Sequence, residues 1–191
     1  MERPYSGRSI IIETMHGLSI EIPPKRNWFV IIFLTGWLGG WLIGELFAFG
    51  FLIGVFGGKE GNNLGSLFIL FWLIAWTAGG FFAIRTWLWM IAGIEIISFD
   101  NNELTIQKKA AILYPPKIYD LGEVKNFSLN PSPTTDSYFG MNSNKDLWNL
   151  GSNGVFKFDY GYKTIKIGNG IDEAEGRFIL EKIKAKNLIK E

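Results

Sequence analysis

The chain has 191 residues, of which 48% are hydrophobic and 16% aromatic, while charged residues make up 19%, below the quarter usual in soluble domains. A formal net charge of +1 gives no global electrostatic basis for binding nucleic acid. The chain has no cysteine and a single histidine, His16, which excludes disulfides, thiolate sites, cysteine nucleophiles and a multi-histidine metal centre within one chain.

The first 24 residues lack the apolar central stretch of a signal peptide, since Glu13 and Glu21 interrupt them. Ser9 to Thr14 is rich in β-branched residues, and Leu18, Ile20 and Ile22 alternate with Ser19 and Glu21. This pattern predicts an N-terminal β-hairpin over 1–24, turning at His16-Gly17 and ended by Pro23-Pro24. Whether it joins the main sheet is open at this level.

Residues 25–94 predict a transmembrane helical hairpin with spans of about 28–56 and 65–93. Each is long enough to cross a hydrocarbon core. Glu45 is the lone charge in the first and Arg85 in the second, and Lys59 to Asn63 forms a polar connection. Trp28, Trp87 and Trp89 sit where interfacial anchors belong, whereas Trp37, Trp41, Trp72 and Trp76 read as lipid-facing bulk. Lys25, Arg26 and Arg85 place one face, and with it both termini, in the cytoplasm. Gly36, Gly40 and Gly44 recur every fourth residue, as do Ala75, Gly79 and Ala83. Small residues at that spacing permit close backbone approach, so they are read as the packing face of the hairpin, with a homo-oligomer seam as the alternative.

Residues 95–191 predict an α+β domain. Ile94 to Phe99 and Leu104 to Ile106 flank the turn Asp100-Asn101-Asn102, which is a hairpin signal. Further short strands are expected at Lys117–Leu121, Val124–Leu129, Phe156–Tyr160 and around Ile165 and Ile167. A C-terminal helix is expected over 172–187, opened by Asp172 and Glu175 as a capping box. Gly168-Asn169-Gly170 ahead of it lacks the full dinucleotide pattern and is read as a turn and cap. The segment 130–153 is a long loop rich in Pro, Ser, Asn and Gly. Its Tyr138, Phe139 and Trp148 are candidate contact residues, because loops of that length are commonly functional or disordered.

Two stretches, Ile22-Pro23-Pro24-Lys25-Arg26-Asn27-Trp28-Phe29 and Phe158 to Glu175 with its Gly168-Asn169-Gly170 turn, resemble an uncharacterised bacterial membrane family with two transmembrane helices. The soluble part resembles bacterial pleckstrin-homology-like (PH-like) domains. The resemblance implies an antiparallel PH-like β barrel or sandwich with a C-terminal helix. It implies no activity, since it carries no catalytic residues across.

No catalytic, cofactor-binding or metal-ligating residue is expected from the sequence. The candidate functional residues are Glu45, Arg85, Tyr138, Phe139 and Trp148. Glu45 stands out because an ionisable group inside a membrane is costly. It lies about 25 Å along the helix from Trp28, in the outer part of a core about 30 Å thick. The first reading of Glu45 is structural, hydrogen-bonding across the hairpin or reaching the interface, and the second is an ion or proton relay; Thr77 lies closer to its level on the return helix than Arg85, which falls nearer the cytoplasmic face. Lys108, Lys109 and Lys117 are expected to face either anionic headgroups or solvent. The expected function is a membrane-anchored, non-enzymatic interaction or scaffold module at the cytoplasmic face of the inner membrane, its partners the bilayer and a protein. The alternative is a small oligomeric transport or channel component using Glu45.

Overall fold

The computed structural model describes residues 7–15, 17–57, 64–110, 112, 114–130 and 154–189. Contacts divide the chain into two units, residues 26–92 and the remainder on either side of them.

The first unit is a helical pair, α1 (Trp28–Gly57) and α2 (Leu64–Ala92). Asn27 opens α1 by accepting from the backbone N–H groups of Phe29 and Val30, a side-chain cap for donors that the first turn leaves over. Both helices are long and apolar enough to cross a membrane. A core helix of a soluble protein would be mostly buried. Here only 6% and 11% of the two spans is. Phe29, Phe47 and Phe71 expose 80%, 77% and 72% of their surface. Apolar surface turned outward on all sides suits lipid.

The second unit holds two antiparallel sheets. β1 (Ile10–Glu13), β2 (Leu18–Ile22), β3 (Ile94–Asp100), β4 (Glu103–Lys109) and β5 (Lys117–Asp120) form a five-stranded sheet in sequence order. β6 (Val124–Leu129), β7 (Phe156–Tyr160) and β8 (Lys163–Ile167) form a three-stranded one. Neither sheet closes on itself. The N-terminal hairpin therefore does join the main sheet: β2 pairs with β3, Ile22 opposite Glu95 and Leu18 opposite Phe99.

Alternation explains the core. Leu18, Ile20 and Ile22 of β2, Ile97 and Phe99 of β3, and Leu104 and Ile106 of β4 are all buried. They point to one face because successive strand residues alternate. Phe156 and Phe158 meet them from the second sheet, with Phe127 stacked between them at 5.7 and 6.0 Å. Asn101 and Asn102 adopt positive φ, 49° and 65°, the conformation that a two-residue hairpin turn requires and that Asn tolerates.

Helix α3 (Glu173–Ala185) closes this unit with Ile179 and Ile183 fully buried. Asp172 caps it by accepting from Glu175 N at 2.9 Å. The Glu175 side chain also reaches Ser9, accepting from its N–H at 2.7 Å and its hydroxyl at 2.5 Å. Gly176 faces Val155 and Leu129 so closely that a Cβ there would collide with the valine side chain.

The far end of α3 holds β1. Lys182 Nζ lies 2.5 Å and Lys186 Nζ 3.4 Å from the Glu13 carboxylate. The hydrogen bond and charge of Lys182, and then those of Lys186, hold the Glu13 carboxyl below its ordinary value of 4.5. A carboxyl depressed on folding stabilises the fold above the ordinary value, and that contribution fades as pH falls below 4.5 through the folded value. Nuclear magnetic resonance titration of Glu13 in the full-length protein is expected to show a midpoint below that of an exposed glutamate, and Lys182→Met to move it back up.

Candidate functional site

The helical pair is where the sequence placed its sharpest residue. Glu45 of α1 meets Thr77 of α2, with Thr77 Oγ1 2.5 Å from Glu45 Oε1. Thr77 Oγ1 is also 2.8 Å from the carbonyl of Leu73, one turn back, the usual local bond of a helical threonine. Glu45 Oε2 is buried and has no hydrogen-bond partner. Glu45 and Thr77 thus meet across the helical pair.

Arg85 stands elsewhere. It is 4% exposed, and its Nε is buried without a partner. Eight residues separate it from Thr77, about 12 Å along a helix, so the structure does not bring the two charged residues of the helical pair together.

The small residues are arranged differently from the four-residue stripe. A Cβ at Gly36, Gly40 or Gly79 would meet nothing within 4 Å, so these glycines do not pack the two helices together. Ala75 is exposed and Ala83 half-buried. Close approach occurs at Gly44, where a Cβ would lie 3.7 Å from Trp76, and above all at Gly80, where a Cβ would fall within the Trp41 indole. Trp41 and Trp76, read from sequence as lipid-facing bulk, are interface residues. Trp41 Nε1 donates to the Trp76 carbonyl at 3.2 Å, and Trp76 stacks on Trp72 at 5.1 Å. Nearer the first-unit termini, Trp87 Nε1 donates to Thr35 Oγ1 at 2.8 Å. A pattern of large opposite small across an antiparallel register is the signal that could have found Trp41 and Gly80.

An apolar groove of about 920 Å³ opens between the helices, lined by residues including Ile43, Phe47, Phe51, Ile69 and Trp72. It offers hydrocarbon contact alone, since every lining residue is apolar or tryptophan.

In the β domain, the Gly168-Asn169-Gly170 turn uses positive φ at both glycines, 83° and 107°. Its Asn169 N–H donates to the carboxylate of Glu95 at 2.8 Å. Glu95 is 2% exposed and sits opposite Lys108 in the β3–β4 register. The turn's anion is therefore one of the protein's own. Lys108 is buried at 7%, and its Nζ lies 4.9 Å from the Tyr114 ring centre, with Lys117 on the same ring at 5.1 Å. Burial, and then the charge of Glu95, raise the Tyr114 hydroxyl above its ordinary value. Lys108 is consequently a cluster residue and faces neither headgroups nor solvent. Lys109 is exposed.

No group of three or more His, Asp or Glu suited to a metal ion occurs among the described residues. His16, Tyr138, Phe139 and Trp148 lie outside the described residues, as does the loop from 131 to 153. No protein-family model matches this chain, and a search of curated proteins finds no match to it.

Proposed function

We propose that the chain is a membrane-anchored, non-enzymatic interaction module whose β domain is presented at the cytoplasmic face of a bacterial inner membrane, with both termini cytoplasmic. The two apolar helices support the anchor. Lys25 and Arg26 before α1, with Arg85 late in α2, favour the cytoplasmic side for the β domain under the positive-inside rule. We read the domain as PH-like. A run of antiparallel strands, a second three-stranded sheet and a C-terminal helix follow in that order, as in the PH layout, with β1 as an added strand.

The observation that carries the interaction reading is the edge at β1. This strand pairs with β2 and, among the described residues, with no other strand. Its Ile10 and Ile12 expose 59% and 45% of their surface on one face. An open apolar edge is a template for an incoming strand unless something covers it. The test is affinity purification of the full-length protein in mild detergent, with mass spectrometry, run beside Ile12→Lys. A protein retained by the wild type and lost from the variant is the expected result. Equal recovery from both removes the β1 edge as the binding surface. A homo-oligomer without any partner favours the transport reading.

A further inference from the structure

The outer face of the three-stranded sheet carries positive charge that its own carboxylate does not balance. Register sets Lys157 of β7 directly opposite Lys166 of β8, with Ser128 of β6 on its other side. Lys157 and Lys166 turn away from the core, because Phe156, Phe158 and Ile167 alternate with them and are buried. Like charges directly opposite destabilise a strand pair. In the next row of this face, Asp159 sits between Lys125 and Thr164. Its two oxygens accept from Asn126 at 2.8 Å and Thr164 at 2.7 Å. Among the described residues, Lys125, Lys157 and Lys166 form no ion pair.

Lys157 and Lys166 lie at one particular end of the β domain. β8 runs from Ile167 into the Gly168-Asn169-Gly170 turn. A Cβ at Gly170 would lie 3.0 Å from the Pro23 carbonyl oxygen and 3.7 Å from the Lys25 backbone nitrogen. Pro23 to Lys25 lead from β2 toward α1, and Gly93 alone separates α2 from β3. The lysine pair therefore belongs to the end of the domain from which the chain enters both apolar helices. Lys25 and Lys109, both exposed, are at the same end, Lys109 opposite Ile94. Carboxylates there are engaged within the fold: Glu95 by Asn169, Glu175 by Ser9, Glu173 by Arg177 and Asp172 by the α3 cap. Glu21 lies on the outer face of the other sheet, between buried Ile20 and Ile22. The far ends of β3, β4 and β5 carry Asp100, Glu103 and Asp120 instead.

We infer that this end of the β domain binds anionic phospholipid headgroups, with Lys157 and Lys166 as the central pair and Lys25 and Lys109 beside them. A phosphodiester between the two facing lysines relieves their repulsion. The short connections to α1 and α2 select lipid over other anions. They keep the face within reach of any bilayer that holds those helices, at an effective concentration set by the tether. Each lysine near such a surface contributes about a fivefold preference for anionic lipid. The inference rests on α1 and α2 anchoring the chain in a bilayer.

The test is labelling with a membrane-impermeant amine reagent, read lysine by lysine by mass spectrometry. The full-length protein is compared in vesicles of phosphatidylcholine alone and of phosphatidylcholine with phosphatidylglycerol. Lys157 and Lys166 are expected to label about fivefold more slowly with phosphatidylglycerol present. Lys125 and Lys163, nearer the other end of the same sheet, should label equally in both. Equal labelling of Lys157 and Lys166 in the two vesicles overturns the inference, as does equal slowing of all four lysines. Slowing in native membranes but in neither vesicle assigns the face to a protein and overturns it too. Flotation with the vesicles at alkaline pH reads the anchor separately. A protein that does not float fails the anchor reading, and the inference with it, whereas one that floats without slowing fails the inference alone.

Discussion

Glu175→Leu is expected to destabilise the β domain by about 3 kcal/mol, the cost of removing a buried charged acceptor from its donors. Glu175 is 5% exposed and Ser9 2%. One carboxylate oxygen receives both the N–H and the hydroxyl of Ser9, across 166 residues of sequence. It thereby ties the segment leading into β1 to the first turn of α3. Leucine fills a similar volume and accepts nothing. Glu175→Gln keeps an amide oxygen in place and is expected to cost about 1 kcal/mol, the worth of an ordinary hydrogen bond. Amide hydrogen exchange of β2 and α3 in the full-length protein measures the difference. Glu175→Leu should accelerate it about a hundredfold, following from tenfold for every 1.4 kcal/mol. Equal acceleration by both variants would mean that the amide oxygen of glutamine does not stand in for the carboxylate, so that the charge and not the acceptor alone holds Ser9.

Gly80→Leu is expected to separate the two helices. Any Cβ at this position falls within the Trp41 indole, and Trp41 is itself held by its bond to the Trp76 carbonyl. The ring must leave its slot, and with it goes the close contact that helix association in lipid depends on. Gly79→Leu is the control, since a Cβ at Gly79 meets nothing within 4 Å. The chain has no cysteine, so Thr35→Cys with Trp87→Cys provides a clean pair for a short thiol crosslinker at a known contact between α1 and α2. Crosslinking should fall roughly tenfold or more in Gly80→Leu, equivalent to about 1.4 kcal/mol, and hold steady in Gly79→Leu. Retention in both variants would show that Trp41 repacks without cost.

Local signals were readable where neighbours in sequence decide the outcome. The apolar runs became α1 and α2, alternation marked the strands, Asp100-Asn101-Asn102 became the β3–β4 turn, and Asp172 became the cap of α3. What sequence could not supply was register between distant elements. A four-residue glycine stripe drifts around a helix of 3.6 residues per turn, so Gly36 and Gly44 cannot face one partner equally. The decisive contact depends instead on which large side chain, Trp41, arrives opposite which gap, Gly80. Glu175 fitted a local motif, but its carboxylate also accepts from Ser9, a partner 166 residues away that no local pattern points to. Lys108 looked like surface charge because its strand carries three polar residues in a row, Gln107, Lys108 and Lys109. Only the packing of Tyr114 and the placement of Glu95 opposite it bury it. Glu45 stood out as a lone charge in an apolar run, and an antiparallel return put Thr77 closer to its level than Arg85.

β2 and β3 are neighbours in one sheet, yet the whole of residues 23–93 runs between them. Considered as a hairpin, this pair of strands has two long apolar helices in place of its turn. During synthesis β2 has to wait for its mate until both helices have been made, and the two strand ends stay far apart until the helices lie antiparallel. Closing so long a loop is otherwise slow. Pairing of α1 with α2 is then what brings the ends of β2 and β3 together, and a chain in which the two helices did not pair would leave the apolar face of β2 without its neighbour.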